Sequence, residues 1–173
     1  MQFKLNQAIE VLAGTPGVLD ALLRGKSAEW LNSKKTADAF SPIDVVGHLI
    51  LADKTDWMPR VRMILDHGDT RPFDPFDRFA FQPLIEGKSI AELLDDFAQV
   101  RRESLQTLAD LNLAQRQFDF RGLHPDLGAV TLGNLLSTWV VHDLGHISQI
   151  VKAMASAYGE AVGPWRAYLS ILK

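Results

Sequence analysis

The stretch T-L-G-N-L-L-S-T-W-V-V-H-D-L-G-H-I-S-Q-I, Thr131 to Ile150, decides how this chain is read. Thr131 can cap a helix, and Leu132, Leu135, Leu136 and Trp139 then recur at helical spacing. Ile150, Val151 and Met154 continue the pattern, so the spacing predicts one long helix that ends by Gly159. His142 and His146 lie inside it, four residues apart and therefore on one face. His146 falls beside Leu132, Trp139 and Ile150 in the apolar stripe, and His142 at its flank. Asp143 also projects onto the stripe, where a carboxylate needs a polar or cationic neighbour.

A His-x-x-x-His pair suits a metal ion, because both imidazoles can reach one point beside the helix. Two buried histidines hydrogen-bonded to carboxylates or carbonyls fit the same spacing. The pair is not His-Glu-x-x-His, so a zinc-protease reading lacks its catalytic glutamate.

Upstream, the punctuation marks three more helices. Residues 2–24 are helical in pattern but interrupted at Gly14-Thr15-Pro16-Gly17, where Thr15 can cap a new start with Pro16 behind it. One kinked helix or two short ones satisfy this. Ser41-Pro42-Ile43-Asp44 is a strong helix start, and V-V-G-H-L-I-L-A (Val45 to Ala52) behind it is apolar on almost every side. Pro59 should kink or interrupt that helix, with Arg60 to Asp66 continuing it. Ser89 to Glu92 forms another capping box, opening a helix that runs to about Leu111 with Leu93, Leu94, Phe97, Val100, Leu105 and Leu108 inward.

The connections carry their own signals. Residues 67–88 have no helical period, and their prolines and phenylalanines suggest an ordered crossover lying over the domain. Residues 116–130 read as a short hairpin or extended loop, with Phe118 to Phe120 alternating and His124 to Gly128 as turn. Gly163-Pro164 opens a short terminal helix. The expectation is an all-α fold: a single domain over 1–173, a four-helix bundle with a long crossover between helices 2 and 3.

Composition narrows the function classes. The 173 residues are 47% hydrophobic and 23% charged, as in an ordinary globular domain. The formal charge is −3 with no basic run, which disfavours nucleic acid as a partner. Apolar runs are too short to cross a membrane and the N-terminus lacks a signal-peptide core, so a cytoplasmic location is expected. With no cysteine, a metal site must rest on His, Asp and Glu, and any thiol nucleophile must come from outside the chain.

A third histidine, His48, sits in the most apolar surroundings of the sequence, where burial favours neutral, ligating imidazole. Facing helices of a bundle can bring such a residue to the His142/His146 pair, making a three-His site with an open position; one satisfied core histidine is the alternative. His67 and His124 lie in turn segments. Asp143 is the leading candidate to orient a ligand imidazole or relay a proton, a helix contact being equally compatible. Asp44 lies one turn before His48 but also caps its helix. Asp53 and Asp56 read as solvated or paired with Arg60. Phe73, Phe76 and Arg78 of the crossover are candidates to roof a pocket, or simply to pack.

These residues carry a resemblance. Phe40 to Asp53, Gly128 to Ile150 and Thr15 to Leu23 resemble the DinB-like superfamily of metal-binding four-helix bundles, over nearly the whole chain. The family pattern, one His on the second helix and His-x-x-x-His on a later one, falls on His48, His142 and His146. The resemblance implies that helices 2 and 3 run roughly parallel. It also implies a divalent metal (nickel or zinc) and commonly a homodimer, but no single reaction: some relatives are thiol-dependent transferases or isomerases that use low-molecular-weight thiols. A three-His metal with an open position is itself open to hydrolysis or to thiol-dependent S-transfer on a small molecule. A metal-binding or dimeric structural module without turnover is the alternative.

Overall fold

The computed structural model describes residues 3–173, and the expected helix start at residue 2 lies outside them. Four long helical units form the bundle: α1 (Leu5–Leu23), α3 with α4 (Pro42–Thr55, Trp57–His67), α6 (Ile90–Asp110) and α7 (Leu132–Ala157). Two short helices, α2 (Ala28–Leu31) and α5 (Gln82–Ile85), lie in the connections. Neighbouring units pack in the ring α1, α6, α3, α7, so that α1 faces α3 and α6 faces α7 across the diagonals.

Local chemistry explains the helix starts. Ser41, Ser89 and Thr131 each accept the amide hydrogen of the residue three positions on. Asp44, Glu92 and Asn134 return the bond to the cap backbone, completing three capping boxes. The Gly14–Gly17 signal resolves as one continuous helix. Thr15 is buried in its interior and donates its hydroxyl to the Val11 carbonyl, 3.2 Å away, so it caps nothing. Pro59 acts as expected. Lacking an N–H for the Thr55 carbonyl, it leaves the chain to break at Asp56 between α3 and α4.

The core divides into two apolar clusters. One holds Leu12, Trp57, Leu108 and Trp139, the other Leu19, Ile50, Phe97 and Ile150. Each of the four units passes from one cluster to the other through a buried polar residue: Thr15, Asp53, Arg101 and Asp143. A polar layer thus crosses the middle of the bundle. The order of passage also gives chain direction: α1 and α7 run one way, α3 and α6 the other. The second and third bundle helices are therefore parallel, which is what the long 67–88 crossover permits.

That crossover is ordered against the body. Phe73 and Phe81 are buried, and the Phe73 amide donates a 2.9 Å backbone hydrogen bond to the Leu123 carbonyl. Residues Phe118–Phe120 depart from the expected alternation: Gln115–Asp119 is a 3-10 turn, and the hairpin proper pairs β1 (Arg121–His124) with β2 (Gly128–Thr131). Phe118 is drawn into the core and ring-packs on Phe3, which a strand conformation there would not provide. The terminal segment after Gly163 forms 3-10 turns, Gly163–Tyr168 and Ser170–Leu172, in place of an α-helix.

Candidate metal centre

The middle of α3 and the middle of α7 bring three imidazoles together. His48, with 5% of its surface exposed, presents Nε2 to His142 Nε2 at 3.1 Å, and His146 Nε2 lies 3.1 Å from the same atom. The three candidate ligand nitrogens all lie within 4.8 Å of one another. Nitrogens at about 2.0–2.1 Å from one tetrahedral ion would be about 3.3 Å apart, so the cluster has nearly the required dimensions.

The outer nitrogens fix which face of each ring is bare. His48 Nδ1 is 3.3 Å from the Arg78 carbonyl oxygen, and His146 Nδ1 is 2.9 Å from Gln149 Oε1. Both oxygens can only accept, so Nδ1 carries the hydrogen and Nε2 a lone pair in each neutral ring. His142 Nε2 can donate to one of them at most. At least one 3.1 Å contact then has no hydrogen to bridge its two nitrogens, a gap that a shared cation would fill. The residues present therefore fit a divalent metal.

Burial, reinforced by the charge of neighbouring His142, pushes His48 down to about 4 and His146 to about 3. Both rings are neutral at physiological pH, as ligands must be. Phe40 and Phe76 pack on the His48 ring with centroids 5.7 Å away, and Trp57 packs edge-on to His142 at 5.1 Å. Phe76 and the Arg78 carbonyl thus belong to the site wall, while Phe73 joins the core below Arg60.

Asp143 faces away from this cluster. Its Oδ1 lies 3.9 Å from His142 Nδ1, beyond hydrogen-bond range, and that nitrogen is buried without a partner among the described residues. The carboxylate is instead held by Arg101 of α6, at 2.5 Å (Nη1–Oδ2) and 3.1 Å (Nη2–Oδ1). Arg101 also grips Asp53 of α3, at 2.7 and 3.1 Å, and the Leu12 carbonyl of α1 at 2.9 Å. One guanidinium joins all four bundle units. Burial raises Asp53, whereas for Asp143 the neighbouring imidazole and Arg101 outweigh burial and lower it.

Asp53 is thus neither solvated nor paired with Arg60; Asp56 is the residue that meets Arg60, at 2.7 Å. Arg101 carried no weight in the sequence reading. Its signal was present, because Phe97, Arg101, Ser104 and Leu108 share one helical stripe. His67 and His124 stand outside the cluster, His124 Nδ1 accepting from the amides of Asp126 and Leu127 in the hairpin turn.

Comparison with known proteins agrees with the bundle fold. The sequence model of the DinB superfamily matches residues 12–150, a span that contains all three histidines and the buried triad. The chain belongs to the DinB superfamily. Two solved structures show the same fold. YfiT from Bacillus subtilis, described as a probable metal-dependent hydrolase with an unusual four-helix bundle topology, is 22% identical at TM-score 0.74. The alignment covers 87% of this chain and 86% of YfiT. TT2238, described as a four-helix bundle protein, is 21% identical at TM-score 0.56, with 83% and 95% of the two chains covered. No match arises among functionally curated sequences. Within this DinB superfamily chain, no helix among the described residues is long and apolar enough to cross a membrane.

Proposed function

We propose that this DinB superfamily protein is a metal-dependent enzyme acting on a small molecule, with His48, His142 and His146 holding a divalent ion, nickel or zinc, through Nε2. The observation that carries the reading is the convergence of three imidazoles whose outer hydrogens are accounted for on two of the three. The description of YfiT as a probable metal-dependent hydrolase supports the same reading. At a three-imidazole site a divalent ion supplies Lewis acidity, lowering the pKa of a bound water or thiol.

The chain's own residues prepare the site. The Arg78 carbonyl and Gln149 hold two rings in the ligating tautomer. Phe40, Phe76 and Phe81 keep water from the His48 flank. Asp143, through Arg101, anchors α7 beside His142 and so positions that ring. Hydrolysis and thiol-dependent S-transfer are the two reactions this site supports, and the second needs an external low-molecular-weight thiol, since the chain has no cysteine. We extend the reading to a homodimer, for which exposed Val141 and Leu144 on α7 offer apolar surface.

The test is to purify the protein without a histidine tag, measure bound metal, and assay nickel- and zinc-loaded forms against esters, amides and electrophile-plus-thiol pairs. Metal-dependent turnover is expected. Turnover that survives complete metal removal overturns the reading.

A further inference from the structure

A cleft of about 300 Å³ lies one layer of side chains away from the three histidines, none of which lines it. It shares two residues with their immediate surroundings: Phe40, which packs on His48, and Gln149, which accepts the His146 Nδ1 hydrogen. The charges on its wall are of one sign, Lys35 from the loop before α3 and Lys152 from α7. Thr36 and Ser148 add hydroxyls. Neither lysine is within ion-pair distance of a carboxylate among the described residues, although the chain as a whole is acidic. A third cation, Arg78, lies over the Phe40 ring at 5.7 Å and is likewise free of any ion pair among the described residues. The adjoining cleft of about 220 Å³ repeats Lys35 and Lys152 and adds Arg166 and one carboxylate, Glu160. Arg166 is occupied there by the Gly159 and Leu172 carbonyls.

Gly145 supplies an independent observation. It stands in the interior of α7, next to His146, where glycine weakens a helix relative to alanine. A Cβ at this position would meet nothing within 4 Å, so close packing does not require the glycine. Gly145 lines the cleft, and its missing side chain is open space on the cleft wall.

We propose that this cleft is the substrate subsite of the metal centre and that it takes an organic molecule bearing an anionic oxyacid group, a carboxylate or a phosphate. Lys35 and Lys152 receive the anion, with Arg78 adding positive charge at the Phe40 side. The remainder of the molecule lies along Gly145 and Phe40 toward the imidazoles. The inference rests on the metal-enzyme reading for what happens to the substrate, but binding of the anion does not depend on the metal.

Titrations followed by amide NMR on metal-free protein therefore test it separately, with benzoate, phenyl phosphate and the neutral benzyl alcohol as probes. At least one anion is expected to shift the Gly145, Ser148 and Gln149 amides saturably and to bind at least tenfold more tightly than benzyl alcohol. Whichever anion binds better identifies the oxyacid. Lys35→Met and Lys152→Met should each weaken it severalfold. Gly145→Leu should abolish it with no fall in thermal midpoint, which separates a filled cleft from a damaged fold. Benzyl alcohol binding as tightly as both anions, or anion affinity unchanged in both lysine variants, overturns the proposal. Metal retained by all three histidine variants would sink the metal-enzyme reading and leave this result standing.

Discussion

Arg101 and Asp143, 42 positions apart in the chain, meet through two hydrogen bonds in the centre of the bundle, with side chains 1% and 0% exposed. Asp53 shares the same guanidinium, so the buried group carries two negative charges against one positive. Arg101→Met would leave both carboxylates uncompensated and is expected to cost about 3–5 kcal/mol of stability. Asp143→Asn leaves a matched Arg101–Asp53 pair and should cost clearly less. Urea unfolding of the two variants checks the order, and equal losses would contradict it.

The same layer can be removed whole. In Arg101→Met/Asp53→Leu/Asp143→Leu no buried charge is left unpaired, and well-packed apolar groups often match or exceed an ion-paired cluster in stability. The triple variant should therefore be more stable than Arg101→Met alone. A urea midpoint lower than that of the single variant would show that the layer does more than balance charge.

Gly47 precedes His48 on α3, and α5 of the crossover rests on it. A Cβ at Gly47 would overlap Ile85 Cγ2 and come within 2.9 Å of Phe81 Cδ2. Gly47→Val should push the crossover off α3 and cost about 1–3 kcal/mol through overpacking. Limited proteolysis is expected to cut the 74–88 segment faster in this variant, and wild-type resistance there would refute the wedge.

Much of this was legible in the sequence because the deciding signals are local. Ser41, Ser89 and Thr131 announce helix starts within four residues, and all three form capping boxes. His142 and His146 share a helix, so their juxtaposition follows from 3.6-residue geometry alone, and only His48 needed the bundle to bring it near. Arg101 was missed for the opposite reason: its partners sit on three other helices, and an arginine in a stripe looks ordinary until Asp53 and Asp143 are seen to need it. Phe118 misled because an alternating F-D-F obeys strand periodicity, while the core claimed the ring in a 3-10 turn.

Metal content gives the next prediction. His48→Ala, His142→Ala and His146→Ala should each lose stoichiometric metal, whereas His67→Ala and His124→Ala should keep it. Elemental analysis of untagged protein decides this, and metal retained by all three cluster variants would disprove the site.

The depressed imidazoles predict an acid sensitivity of the metal-free protein. His48 sits at about 4 and His146 at about 3 when folded, against about 6.5 in an unfolded chain. Between those values the unfolded chain binds more protons, so their contribution to stability is full above about pH 6.5 and drains away as pH falls. Asp53 and Asp56, raised by burial, work in the opposite direction. Comparing wild type with His48→Phe/His146→Phe isolates the imidazoles. The wild-type thermal midpoint should drop more steeply from pH 7 to pH 4.5, and parallel profiles would contradict the assignment.

The Arg78 carbonyl that holds His48 belongs to the peptide main chain, and the guanidinium of the same residue lies over the Phe40 ring that packs on His48. One position therefore serves two independent purposes through two different parts of itself. Exchange of its side chain would alter which molecules are admitted while every sequence variant keeps the same oxygen on the ring. Selectivity in such a site can drift freely over generations without the ion's seat ever being rebuilt.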